Sequence, residues 1–213
     1  AARSWRGCRF IGNRATTAQL GGWGGGIMVS FLADAQLADV ALFDNTAVRG
    51  GGIYRMPFNS VQVINATIYG NRCDVAEGGG IQISDSSQTT IQNSIIWSNA
   101  PVGAFGTPAA VENSCVQESV PGNNFVAEPR LRRPPTPGPD RTWGTSDDDY
   151  GDATPAAGSA CIDAGGDAHL PEDILLDLGG SPRRHDDSGA ATKGVMIDIG
   201  AYEFQGVSGL AAD

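Results

Sequence analysis

Five aspartates stand close together in one stretch of the chain: Asp140, Asp147, Asp148, Asp149 and Asp152. Clustered carboxylates with intervening backbone carbonyls are the ligand set of calcium, which takes about six to eight oxygens. The spacing departs from that of an EF-hand loop, and aspartates also cap turns. The loop is therefore a candidate calcium site, with a solvated turn-capping loop as its alternative. A second set is aromatic. Phe43, Tyr69 and Trp97 each precede an asparagine by two residues, in Phe43-Asp44-Asn45, Tyr69-Gly70-Asn71 and Trp97-Ser98-Asn99. Exposed, such a column of rings is a carbohydrate platform; half buried, it stabilises by stacking.

Catalytic constellations are harder to assemble. Polysaccharide hydrolysis by two carboxylates needs them about 5–9.5 Å apart. Asp39, Asn65 and Asn93 fall in one column, and only one of them is an acid. His169 and His185 read as loop polar residues, with no Gly-x-Ser-x-Gly elbow to supply a nucleophile. Arg49, Arg55 and Arg72 read as surface charges. No catalytic residue is assigned. The four cysteines, Cys8, Cys73, Cys115 and Cys161, include no CxxC pair, so zinc-knuckle and thioredoxin-like chemistry is disfavoured. Cys115 and Cys161 are candidates for a disulfide joining the two halves of the chain. Cys8 faces inward by the column count and Cys73 outward, which argues against their pairing.

The elements that must position these residues form a repeat. A Gly-Gly-Gly-Ile tetrad occurs at 24–27, 50–53 and 78–81. From its Ile to the following Asn the step is 18 residues each time, while successive repeats begin 26 and then 28 residues apart. Aligned on the asparagines Asn13, Asn45, Asn71 and Asn99, three further columns appear. Phe10, Leu42, Ile68 and Ile96 stand three residues before the Asn; Cys8, Val40, Ala66 and Ser94 stand five before it; Trp5, Leu37, Val63 and Ile91 stand eight before it. Offsets of three and five share a strand face, since side chains alternate with period two. A unit this short, with few helix formers, suits one coil of a solenoid. The expectation is an all-β fold: a right-handed, single-stranded parallel β-helix of about four to five coils over residues 1–121, stacked at about 4.8 Å per coil. The asparagines form an amide ladder at a turn, and the glycines supply positive φ or close coil-to-coil approach. Residues 122–213 form a loop-rich segment packed on the helix end or flank, because a solenoid must hide its last apolar layer.

Net charge is −10, with 24 acidic and 14 basic residues, which disfavours nucleic acid or anionic membrane as the main partner. No apolar run reaches the length of a membrane span. The chain opens at Ala1-Ala2-Arg3-Ser4-Trp5, already inside the pattern, so a processed chain or a fragment is expected.

The tetrad and aromatic-x-Asn repeats resemble those of polymorphic-membrane-protein-type β-helices. Asn123-Asn124-Phe125, Ser159-Ala160-Cys161-Ile162-Asp163-Ala164-Gly165, Asp177-Leu178-Gly179-Gly180-Ser181-Pro182-Arg183 and Asp198-Ile199-Gly200-Ala201-Tyr202-Glu203 resemble the bacterial choice-of-anchor Q family. That family's usual Asp-x-Asp-Gly-Asn-Pro-Arg loses one Asp here, which weakens a metal reading of this segment. The resemblance implies a β-helix carried at the cell surface, and no established activity. The expected function is an extracellular or cell-surface structural or adhesive module that binds a protein or glycan without catalysis. The alternatives are a carbohydrate-active lyase or hydrolase, with calcium, and a subunit of a larger assembly docking through its N-terminal coil.

Overall fold

The computed structural model describes residues 3–15, 21–30, 33–75, 78–84, 89–101, 110–186 and 197–206. Short strands follow one another in sets. The chain begins with β1 (Arg3–Arg6), β2 (Arg9–Ile11) and β3 (Arg14–Ala15). Next come β4 (Ile27–Val29), β5 (Asp34–Ala38), β6 (Ala41–Phe43) and β7 (Thr46–Ala47), then β8 (Ile53–Arg55), β9 (Ser60–Ile64), β10 (Thr67–Tyr69) and β11 (Arg72–Cys73). The series ends with β12 (Ile81–Ile83), β13 (Thr89–Gln92), β14 (Ile95–Trp97), β15 (Ala110–Glu112) and β16 (Cys115–Val116). Each strand pairs in parallel with its counterpart one repeat away, giving the sheets β1-β5-β9-β13-β15, β2-β6-β10-β14-β16, β3-β7-β11 and β4-β8-β12. The result is an all-β, solenoid-like stack of parallel sheets.

Register follows the sequence columns. Phe10 pairs with Leu42, Leu42 with Ile68, Ile68 with Ile96, and Ile96 with Val116. Trp5, Leu37, Val63, Ile91 and Val111 pair likewise on the neighbouring sheet. These columns fill one continuous apolar core. The tetrad glycines divide the work expected of them. Gly24, Gly50 and Gly78 take left-handed φ of 66°, 61° and 69°. Their neighbours permit close backbone approach: a Cβ on Gly51 would lie 2.2 Å from the Arg72 carbonyl oxygen.

Two corners of the repeat are also left-handed. Asp39, Asn65, Asn93 and Asn113 have φ of 47–49°, and Asp44 and Ser98 have 49° and 59°. Gly7, Gly12 and Gly70 occupy the same two columns with φ of 62°, 66° and 72°. Only Gly, Asn, Asp and small polar residues enter this region at low cost. The column holding Asp39, Asn65 and Asn93 is thus a backbone requirement.

The asparagine ladder runs through the stack. Asn13, Asn45 and Asn71 each donate a side-chain N–H to the Oδ1 of the next asparagine, at 2.8, 2.9 and 3.0 Å. The same Oδ1 atoms accept the backbone N–H groups of Asn13, Asn45 and Asn71. Asn45, Asn71 and Asn99 reach back to the carbonyls of Phe10, Leu42 and Ile68. Gln117 continues the series by accepting from the Asn99 backbone. A second ladder runs through the column of small and apolar residues five before the asparagine. Ser94 Oγ accepts from Ala66 N, Ser114 Oγ from Ser94 N, and Asn124 Oδ1 from Ser114 N.

Two further expectations are corrected. Arg55 is not a surface charge: it pairs in register with Val29 and Ile83, is fully buried, and donates to the Met56 and Asn59 carbonyls. Cys73, expected outward, is buried, in register with the buried Ala47 and with its thiol donating to the Val75 carbonyl. The second half, expected on the end or the flank, takes both: Asn124 and Phe125 follow the last strand, and the closing segment lies along the flank. Ile199, Gly200, Ala201 and Tyr202 step across successive strands, from Cys115 and Ile95 to Thr67 and Ala41. A hairpin of β17 (Leu131–Arg133) and β18 (Asp152–Pro155) packs beside them.

The ladder makes a graded prediction. Asn71→Ala removes an amide that meets the Asn45 and Leu42 backbone out of reach of water, and should cost about 3–5 kcal/mol. Asn13→Ala, at the exposed end of the ladder, should cost under about 1 kcal/mol. Urea denaturation of the two variants measures both; equal costs would contradict the ladder's role.

Candidate functional site

The aromatic column is not an open platform. Phe43 is 2% exposed and packs with Ala153, Ala201 and Tyr202 of the flanking segment. Tyr69 and Trp97 are half buried, Tyr69 against the Phe43 cluster and Trp97 beside Cys161 and Ile199. Phe43 and Tyr69 rings lie 6.4 Å apart at 53°, a tilted contact. The strands present these side chains outward, and the second half of the chain covers that face.

The acidic loop turns its carboxylates onto its own backbone. Asp140 accepts from Thr142 N, and Asp147 from Asp140 N and the Thr145 hydroxyl. Asp148 accepts from Gly144 N and Thr145 N, and Asp149 from Gly151 N. Asp152 accepts from Thr154 N, and Asp149 also pairs with Arg133 at 2.8 Å. The Thr145 and Asp140 hydrogen bonds hold the Asp147 carboxyl below its ordinary pKa. Among the described residues no three His, Cys, Asp or Glu side chains group so as to hold a metal ion. Each of the five aspartates accepts at least one backbone N–H of its own loop or strand. One anchor fixes the loop to the stack: Trp143 Nε1 donates to Asp44 at 2.8 Å, with its ring seated on Gly12, where a Cβ would clash at 2.1 Å.

The densest titratable cluster lies between the two halves. Arg183 is fully buried. Its Nη2 donates to Asp39 at a left-handed corner of the stack, and its Nη1 to Glu203 Oε1 and the Gly200 carbonyl, both at 3.1 Å. Glu203 accepts the Asp198 N–H on both carboxylate oxygens. Asp198 accepts from Asp163 N and Phe204 N, and Asp177 from Ser181 N and Glu203 N. Burial raises the Asp39 carboxyl, against the pull of Arg183. Burial, with Asp198 beside it, pushes Glu203 up to about 9. No sequence pattern joined Arg183 to Asp39, since they are far apart in the chain and only the fold brings them together.

A cleft of about 240 Å³ touches this cluster, lined by Arg9, Asp152, Asp177, Tyr202 and Glu203 among others. Chemically, a Glu203 whose pKa is raised beside other acidic side chains is an acid–base arrangement. Geometrically, the oxygens of Asp177, Asp198 and Glu203 already accept internal N–H groups, and Glu203 is 2% exposed. The cluster holds the flank in place. His169 lies apart from it, bonded to Gln92 at 2.8 Å and facing Glu112 at 3.3 Å.

Sequence reasoning missed one open surface. On the outer face of β5, β9 and β13 a groove of about 330 Å³ is lined by Asp34, Gln36, Ser60, Gln62 and Thr90. Gln36 Nε2 donates to Gln62 Oε1 at 2.9 Å, and Ser60 donates to Asp34. The signal was present: these are the polar positions alternating with Ala35, Leu37, Val61 and Val63.

Glu203 sets a pH dependence. Its folded pKa is raised, so between about pH 4.5 and 9 the native state keeps a proton that the unfolded chain releases. The corresponding stability is present at acid pH and lost as pH rises. The thermal midpoint should fall by roughly 5–10 °C between pH 5 and pH 9, and Glu203→Gln should flatten that fall. A midpoint that rises across this window in the wild-type chain would contradict the assignment.

No protein-family model matches the chain, and no curated protein matches it in sequence.

Proposed function

We propose that the chain is a right-handed parallel β-helix of about four to five coils, with residues 122–213 along its flank, acting outside the cell or at its surface as a non-catalytic structural or adhesive module. The observation that carries this reading is the contrast between its two polar surfaces. The converging acids are engaged by the protein's own backbone. The groove of Asp34, Gln36, Ser60, Gln62 and Thr90 is open, and its hydroxyl, amide and carboxylate groups repeat at strand spacing. A groove without aromatic anchors is a poor protein hot spot and a good match to the hydroxyls of a glycan. The resemblance to choice-of-anchor Q proteins supports the cell-surface location.

The second reading, a carbohydrate-active enzyme, is favoured by one observation: the cleft where Arg9, Asp152, Asp177, Tyr202 and Glu203 meet. Affinity electrophoresis against a panel of bacterial and plant polysaccharides separates the two. The module reading expects retardation by at least one polysaccharide, a tenfold or greater loss of that affinity in Gln36→Ala/Gln62→Ala, and no new reducing ends. Release of reducing ends that Glu203→Gln abolishes would overturn it in favour of hydrolysis.

A further inference from the structure

The remaining chemistry outside these surfaces is a pair of thiols. Cys115 stands on the outward side of β16, in register with Ile95. Cys161 comes from the flanking segment, 46 residues further along the chain. Both are fully buried, in one cluster with Ile95 and Ile199. The Cys115 thiol donates to the Ala127 carbonyl at 3.0 Å, and the Cys115 and Cys161 thiols meet within the cluster. That contact holds the Cys115 thiol down and the Cys161 thiol up. The backbone fixes both partners. Cys115 N bonds to the Ser94 carbonyl, and Ile199 N to the Cys161 carbonyl at 2.9 Å. The other two cysteines are placed differently, with Cys8 donating to the Arg6 carbonyl and Cys73 to that of Val75.

We propose that Cys115 and Cys161 are a modification site: a dithiol pair that oxidises to a disulfide and locks the flanking segment onto the last parallel strands. The oxidant is a disulfide, either glutathione disulfide or a protein of the thiol–disulfide oxidoreductase class. A Cys115 thiolate attacks one of its sulfurs, and the other leaves as a thiolate. The Cys161 thiolate then attacks the Cys115 sulfur of the mixed disulfide and expels the second thiol. One S–S bond forms in the chain, one breaks in the oxidant, and two electrons pass to it. Since the folded chain seals both sulfurs, exchange takes place before the flank closes. The lock goes beyond the module reading, and only its formation in the cell depends on an oxidising compartment.

The test refolds the full chain in a glutathione redox buffer, blocks remaining thiols with iodoacetamide in denaturant, and maps the products by mass spectrometry. The expected result is a cross-linked peptide pair containing Cys115 and Cys161, with Cys8 and Cys73 alkylated. Reductant should then lower the thermal midpoint by roughly 5–12 °C, and should leave that of Cys115→Ala/Cys161→Ala unchanged. Should that variant fail to fold, Cys8→Ser/Cys73→Ser supplies the same readout, with the cross-link expected to persist. Four alkylated cysteines, or a bridge that includes Cys8 or Cys73, would overturn the proposal. A bond that forms in the buffer supports the pair even where protein from the cell carries both thiols free; that second finding counts against the extracellular reading alone.

Discussion

Arg183 carries its charge to a place that water does not reach, and the arrangement of the two halves follows from how that charge is met. Its guanidinium joins Asp39, at a corner of the parallel stack, to Glu203 and the Gly200 carbonyl in the closing segment. A buried cation is tolerated only when it is paired and hydrogen-bonded in good geometry; the Arg183 Nε has no partner among the described residues, and both Nη groups are met. Matching them here requires the segment from Asp198 to Phe204 to lie against the outward faces of β6 and β10. Once there, Gly200 N bonds to the Asn93 carbonyl and Ala201 N to the Thr67 hydroxyl. The apolar outward residues Ala41 and Ile95 are covered as a result.

The stack itself answers to a related constraint. Strands of two to five residues leave many backbone groups at corners, and the interior offers no water for them. The asparagine and serine ladders meet those groups from inside. This part of the fold was legible in the sequence, because each coil solves the same problem with the same residue type at the same spacing. Phe10, Leu42, Ile68 and Ile96 could be placed in register before any coordinates, and so could Asn13, Asn45, Asn71 and Asn99. The left-handed corners were equally written in the columns of Gly, Asp and Asn, which pattern reading took for a failed catalytic column.

What was not legible is non-local or ambiguous in type. Arg55 sits in a column whose other members, Val29 and Ile83, are buried and apolar, so its burial follows the repeat while its charge breaks it. The flank has no period, and nothing in the sequence says which of its residues covers Phe43 or meets Asp39. Aspartate serves turns and calcium alike, and the type alone did not show that Asp140, Asp147, Asp148, Asp149 and Asp152 accept backbone N–H groups close by in the chain. The buried ionisable residues of the second half, Asp177, Arg183, Asp198 and Glu203, fasten one part of the chain to another. The groove over β5, β9 and β13 is the open polar surface on which the proposed binding reading rests.

The most direct test of this account is hydrogen exchange of an Arg183→Met variant, read amide by amide. The fastening predicts that Ile199, Gly200 and Ala201 lose protection by a factor of about a hundred or more, while Leu42, Ile68 and Ile96 within the stack keep theirs. Unchanged protection at Gly200 and Ala201 would show that the flank is held by something other than the buried guanidinium, and would contradict the account.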